Sequence, residues 1–241
     1  MLKTIFFDAA GTLFESRSPI GDSYAAVARN FGANVKGKAV SVAFRRAFSS
    51  AHGLAFGPGR SAGEIRRLER QWWRERVAET FADLHQFDDF DAYFNALFEF
   101  FGDPANWVAY PDVAPALEEF KAMGLRLGVI SNFDARLYRL LSGLGLARFF
   151  DSVTISSEAG YAKPAAQLFE AALARMGVAP GEALHVGYAP HLDVTGANAA
   201  GIEAILVCRP EDGGKGEKPK PTPATVVASF DEVVAIVRRR I

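Results

Sequence analysis

The chain carries a single cysteine, Cys208, which excludes an internal disulfide and is compatible with a reducing compartment. It follows the apolar run Ala204 to Val207, so a small buried filler is expected there rather than a reactive thiol. Net charge is almost absent as well. Lys and Arg number 27 against 28 Asp and Glu, a formal −1, so bulk electrostatics argues for neither nucleic acid nor an anionic membrane surface as a partner. No apolar run approaches the ~20 residues that cross a bilayer, so no membrane association is expected. A secretory leader is not expected either, because a strand begins at once and Asp8 falls where an apolar leader core would lie; the protein is read as cytoplasmic. There is no clear internal repeat.

What is present is an ordinary globular composition, 49% hydrophobic and 23% charged, over 241 residues that can bury one large core or two modest ones. The organising stretch is Met1 to Phe14. Ile5, Phe6 and Phe7 form a short apolar run suited to a buried parallel strand, and Asp8 ends it. Ala9, Ala10 and Gly11 then break the pattern, and Thr12 begins a polar turn. This places a carboxylate at the carboxyl end of a central strand, where open α/β sheets bind ligands. Small residues in the following loop let backbone N–H groups approach an anion. Alone, Asp8 reads equally well as a turn aspartate.

Between Asp22 and Phe101 the spacing is helical and no strand is convincing. Tyr24, Val27, Ala28 and Phe31 share a face closed by Gly32, and Val42, Phe44, Ala47 and Phe48 suggest a second helix. Ser61-Ala-Gly-Glu64 resembles a capping box opening a third helix through Trp72, Trp73, Val77 and Phe81. A fourth, aromatic-rich helix runs from Phe90 to Phe101, and the glycine-rich stretch Gly53 to Gly63 is read as a long loop. Trp72 and Trp73 are read as packing residues; being adjacent they point apart, so one is expected to reach another surface.

From Tyr110 strands and helices alternate. A helix from Pro111-Asp112 to Met123 precedes a strand over Leu125–Ile130, which delivers Ser131 and Asn132 to the edge that holds Asp8. Asp134 is expected to cap the helix that carries Leu137, Leu140, Leu141 and Leu144. Strands follow over Phe149–Ile155, Ala183–Val186 and Ile202–Val207, with helices over Ala165–Met176 and Val194–Ala200. Glu211 to Pro223, with Lys215, Lys218 and Lys220, reads as a solvated loop, and Phe230 to Val237 as a closing helix with arginines at its C-terminus.

These units bring Asp8, Ser131, Lys163 and the Gly187 loop to one sheet edge. A carboxylate there can attack an electrophile and form an ester that water hydrolyses. Lys163 would favour the charged carboxylate and neutralise a ligand anion, and Ser131 with backbone N–H groups would bind ligand oxygens. Singly, Lys163 reads as a loop lysine and Ser131 as a helix cap; neither explains the set.

Asp8-Ala-Ala-Gly-Thr-Leu13, Val129-Ile130-Ser131-Asn132, Ala162-Lys163-Pro164 and His185-Val186-Gly187-Tyr188 running to Asp193 resemble, in order and spacing, the four motifs of the haloacid dehalogenase-like (HAD) hydrolase superfamily. The resemblance covers nearly the whole chain. Gly21-x-x-Tyr24, Ala43-Phe44-Arg45, Gln71-Trp72-Trp73 and Ile130 to Asp134 narrow it to one group with a helical cap of subfamily I. It implies an α/β fold, a Rossmann-like parallel-sheet core over residues 1–16 and 106–241, with an inserted all-helical cap over residues 17–105. It implies Asp8 as nucleophile, Lys163 as its charge partner and Ser131 as oxyanion binder. Thr12, Asn132 and the cap residue Arg45, with Arg46 as its rival, join Ser131 as substrate-binding candidates. The substrate class is a small anion.

Two positions depart from the phosphatase pattern of the family. Its second aspartate, the general acid and base, is Ala10 here, and loss of such proton transfer costs roughly 10²–10⁴-fold in rate. Its metal-binding carboxylate after the fourth-motif glycine is Tyr188, which leaves Asp8 and Asp193 as the possible ligands for Mg²⁺. The L-2-haloacid dehalogenases of the superfamily lack both the second aspartate and the metal; they share Asp-x-x-Gly-Thr-Leu-Phe, and Asp193 resembles their water-positioning aspartate. Their Ser-x-Asn context is absent, Ala10 replaces their bulky aromatic, and His191 is an exposed-loop histidine before it is a base. The expectation is therefore a hydrolase working through an Asp8 ester, metal-independent and haloacid dehalogenase-like. The alternatives are a Mg²⁺ phosphatase with altered acid/base chemistry and an inactive HAD-fold binding protein.

Overall fold

A computed structural model describes residues 1–49, 51–209 and 224–241. The first strand, β1 (Thr4–Phe7), is buried at every position. It pairs in parallel with β4 (Arg126–Ser131) on one side and β6 (Ala183–Gly187) on the other. Beyond β4 lies β5 (Ser152–Ile155), and beyond β6 lie β7 (Glu203–Val207) and β8 (Thr225–Val227). The order β5-β4-β1-β6-β7-β8 makes a six-stranded parallel sheet, and β1 is where the chain's progression across it reverses. Five of these strands were legible as apolar runs; β8, three residues long, was not. β5 begins at Ser152 rather than Phe149, because Ala147–Phe149 forms a 3₁₀ turn.

Side-chain alternation sends Ile5 and Phe7 to one face and Phe6 to the other. The first face packs against helices Val113–Ala122 and Phe230–Arg238 through Leu117, Phe120, Phe230 and Val233. The second packs against helix Ala166–Met176 through Leu168, Phe169 and Ala172. A fully buried side chain of this size contributes ~1.5–3 kcal/mol, so both faces are held by apolar burial. Cys208 is half-buried beside the second cluster.

After β1 the chain forms β2 (Phe14–Ser16), then four helices: α1 (Ile20–Arg29), α2 (Gly37–Ser49), α3 (Ala62–Phe81) and α4 (Phe90–Gly102). It returns through β3 (Trp107–Ala109), which pairs antiparallel with β2. This hairpin joins strands some ninety residues apart, so no local turn signal announces it. The helices bury their own cluster, including Tyr24, Val77, Phe81, Tyr93 and Leu97. The Ser61 capping box at the start of α3 is formed.

One face of α3 holds this helical insertion to the α/β unit. Trp73 Nε1 donates to Asp134 Oδ2 at 2.6 Å, while Trp72 Nε1 stays within the insertion, on the His52 carbonyl at 2.9 Å. Asp134 does not occupy the assigned cap position of the next helix, α6 here counted after α5 (Val113–Ala122) and spanning Arg136–Gly143; that position is Ala135. Asp134 accepts the Arg136 backbone N–H at 2.9 Å and pairs with the Arg136 guanidinium at 2.6 Å, which turns it toward α3. Glu69, 3% exposed, accepts from the Ser157 hydroxyl at 2.6 Å and the Ala135 N–H at 3.2 Å. Burial raises its carboxyl, and the nearby Asp134 adds to that, against the pull of Ser157 and Arg66. Glu69→Ala orphans the buried Ser157 hydroxyl and the part-buried Ala135 N–H and is expected to cost about 1–3 kcal/mol, read as a lower urea midpoint at unchanged slope.

Candidate active site

The carboxyl ends of β1, β4 and β6 converge. Asp8 follows β1 directly, and its N–H is held by the Val186 carbonyl at 2.9 Å. Ser131 ends β4, and Gly187 ends β6. The fourth component is Lys163, whose loop lies beside β4. Asn132 fixes that loop with two bonds to the Lys163 backbone: its Oδ1 accepts the N–H at 2.7 Å and its Nδ2 donates to the carbonyl at 3.1 Å. Asn132, a substrate-binding candidate from sequence, thus spends its amide on placing the lysine.

The Lys163 ammonium donates to Asp8 Oδ1 at 2.8 Å and to Asp193 Oδ1 at 2.6 Å, and all three side chains are buried. Asp193 sits in a π-helical turn, Pro190–Thr195. Its Oδ1 also meets His185 Nε2 at 3.0 Å, and its Oδ2 accepts the N–H groups of Tyr188 at 3.1 Å and Ala189 at 2.9 Å. Burial by itself would raise Asp193, but the Lys163 charge and these donors hold it well below the usual carboxylate range. Asp8 goes the other way: burial raises it, reinforced by the Asp193 charge and opposed by Lys163. The Lys163 ammonium is raised, its two carboxylates outweighing burial.

The two oxygens of Asp8 differ. Oδ1 accepts from Lys163 and, at 3.2 Å, from the Ser131 hydroxyl. Oδ2 has only a long contact, 3.4 Å, from the Thr12 hydroxyl. One oxygen is therefore fixed and the other left available for attack. The Asp8 loop turns at Gly11, whose φ of 90° and contact with the Tyr188 ring suit glycine alone: a Cβ there would lie 2.7 Å from the ring. Tyr188 thus covers this loop from the side where the phosphatase pattern has a carboxylate.

His185 is the residue that sequence reasoning passed over. It was visible as the polar member of an apolar strand, Ala183-Leu184-His185-Val186, but its partner eight residues on was not. It is fully buried, with its ring edge-on to Phe169 and its Nδ1 without a partner among the described residues. Burial lowers it, with Lys163 adding to that against Asp193, so the neutral ring donates through Nε2 to Asp193. Arg45 is exposed on α2 and bonds to none of the site residues, Arg46 pairs with Asp83 at 2.9 Å, and His191 is exposed. Lys215, Lys218 and Lys220 lie outside the described residues.

The donor set does not make a cradle for Mg²⁺. Both oxygens of Asp193 are already bonded twice, Ala10 and Tyr188 bring no carboxylate, and of the pair left for the metal only Asp8 Oδ2 stands open. Among the described residues no group of three or more His, Cys, Asp or Glu side chains is placed to hold a metal ion. No helix among them is long and apolar enough to cross a membrane.

A parallel sheet in which the order of the strand connections reverses at β1, with a buried carboxylate–ammonium–carboxylate cluster at its carboxyl edge, defines the class of hydrolases with a HAD-type Rossmann-like fold. The chain belongs to the haloacid dehalogenase-like hydrolase family, whose model matches residues 2–201. It is 34% identical over 212 residues to the human haloacid dehalogenase-like hydrolase domain-containing protein 3, covering 87% of this chain and 83% of that one. Over 135 residues, 56% of this chain and 53% of the relative, it is 40% identical to a phosphoserine phosphatase from Thermus thermophilus. Among solved structures, the L-2-haloacid dehalogenase from Xanthobacter autotrophicus with chloropropionic acid covalently bound superposes with a TM-score of 0.73 at 22% identity over 99% of both chains. A magnesium-bound HAD-hydrolase from Bacillus subtilis does so with 0.76 at 14% identity, over 98% of this chain and 99% of that one. At these identities the two structures speak for the fold.

Proposed function

We propose that the chain is a metal-independent hydrolase acting through an aspartyl ester at Asp8 on a small anionic, 2-haloacid-like carboxylate, with the helical insertion as a cap over the site. The observation that carries this is the asymmetry of Asp8: Oδ1 is bonded by Lys163 and Ser131, and Oδ2 is open, with no acid or base at position 10. Oδ2 attacks the substrate carbon; the C–O bond forms as the carbon–halogen bond breaks, and the electron pair leaves with the halide. No proton is needed for that departure, so Ala10 is no handicap. Water then adds to the Asp8 carbonyl carbon, the ester C–O bond breaks, and the 2-hydroxy acid leaves with Asp8 restored and one proton released to solvent. Lys163 takes the charge-compensating place between two carboxylates that a cation would otherwise hold. Thr12, Ser131 and the exposed Arg45 remain the groups proposed to meet the substrate.

The test is a panel of 2-haloacids and phosphate esters, each with Mg²⁺ and with chelator. Halide release that persists in chelator is expected. Phosphate release that requires Mg²⁺ would sink this reading in favour of a phosphatase like the Thermus relative, and silence on both from folded protein would favour a binding role.

A further inference from the structure

A cavity lies apart from the polar cluster, where the helical insertion meets the α/β unit. None of Asp8, Ser131, Lys163 or Asp193 lines it. Its walls include Tyr24, Trp73 and Phe98 from the insertion, Trp107 from β3, and Phe133 and Arg136 from the α/β unit. The space open to the centre of a water molecule is about 80 Å³, several times the ~10–15 Å³ that admits one water and about half the ~150 Å³ of an engineered cavity that takes benzene, so a ring enters with a small outward shift of the wall side chains.

The polar groups on these walls sort into satisfied and unsatisfied. The Trp73 indole N–H is taken by Asp134 and that of Trp107 by the Phe101 carbonyl at 3.1 Å. Arg136 is the charged member, but its Nε and Nη2 donate to Asp134 at 2.9 and 2.6 Å and its Nη1 to the Phe98 carbonyl at 3.1 Å. Its guanidinium also lies 3.9 Å from the Phe98 ring centroid. An anion entering the cavity would have to compete with a buried carboxylate already paired to it. The Tyr24 hydroxyl is different: the residue is 2% exposed, yet the hydroxyl has no hydrogen-bond partner among the described residues. Burial raises this phenol, so it keeps its proton and can donate as well as accept.

We propose that this cavity is a binding site for a small neutral aromatic molecule, or the aryl group of a larger one, carrying one hydrogen-bonding group that meets the Tyr24 hydroxyl. Aromatic edges and faces surround the space, and such walls favour a ring over an alkyl chain of equal size. The walls come from both units, so an occupant bridges them. The site stands independently of the reaction at Asp8, and its test needs no turnover.

The probes are phenol, toluene and benzoate, titrated into the full chain while the Trp73 and Trp107 indole N–H resonances are followed by NMR. Saturable shifts of both signals are expected, with phenol tighter than toluene and benzoate weakest. Tyr24→Phe keeps the ring and orphans no protein group; it should weaken phenol about five-fold, the worth of one neutral hydrogen bond, and leave toluene unchanged. Ile20→Phe, at a half-buried wall position, should fill the space and weaken both neutral probes more than ten-fold in protein shown to be folded by near-UV circular dichroism. No saturable shift with either neutral probe, tighter binding of benzoate than phenol, or equal loss of phenol and toluene in Tyr24→Phe would each overturn the proposal.

Discussion

Asp8→Asn is expected to abolish turnover, at least 10³-fold, while the variant melts at or above the wild-type temperature. The kinetic half follows from the proposed ester: an amide is a poor nucleophile, and no other carboxylate at the site has an open oxygen. The stability half follows from linkage. Burial raises the Asp8 carboxyl above its unfolded value, so the folded state holds that proton more tightly. Stability from this group is then complete below the unfolded value of about 3.9 and is lost as pH rises through the folded one. At neutral pH the charged Asp8 therefore costs stability, and asparagine removes the cost while still accepting from Lys163 through its oxygen. Halide release and thermal melts at neutral pH and near pH 3 check both halves. The melting advantage should shrink at the lower pH, and the wild-type rate should fall with acid at a pH above the ordinary carboxylate range. A variant that melts well below wild type, or that retains activity, would contradict this account of Asp8.

Lys163→Met is the opposite case, and the largest loss of stability is expected there. The substitution keeps much of the side-chain volume but removes the one cation within 3 Å of two buried carboxylates, at 2.8 and 2.6 Å. Removing one partner of a buried pair costs about 3–5 kcal/mol, because the charge left behind has no water to return to. For a chain of this length that lowers the melting temperature by roughly 6–20 °C. Here the folded values of both Asp8 and Asp193 rise. The deficit should therefore be largest at neutral pH and narrow as pH falls toward about 4, where the variant's raised carboxylates protonate; it closes only in stronger acid, where the wild type's Asp193, held below the ordinary range, protonates too. Thermal melts against pH, beside wild type, decide it. A small deficit that does not vary with pH would mean that water reaches the two carboxylates.

Asp8 thus carries a cost to folding at neutral pH that a substitution removes, whereas Lys163 is needed by fold and site alike. Asn132 and His185 extend the same network by one bond each way. Asn132 sets the backbone of the lysine, and His185 takes one lone pair of the distant aspartate.

The sequence by itself determined the strands and helices whose apolar period was strong, because periodicity is a local property of the chain. Ile5 to Phe7 with Asp8 at its end, the apolar strand before Ser131 and the helical spacing from Tyr24 to Phe101 could all be read that way. So could the absence of a carboxylate at positions 10 and 188. Tertiary structure alone decided whatever depends on partners far apart in the chain. The Phe14–Ser16 and Trp107–Ala109 hairpin, the short strand Thr225–Val227, the turning of Asp134 toward Trp73 and the Glu69 contacts with Ala135 and Ser157 belong there. The state of the site belongs there too. Two aspartates and a lysine look alike on paper, but burial and hydrogen-bond count separate them: Asp193, with four donors around it, is held ionised and closed, while Asp8 keeps one oxygen open. A carboxylate's reactivity depends on how many donors fill its lone pairs and how little water replaces them, and neither quantity exists until the strands are side by side.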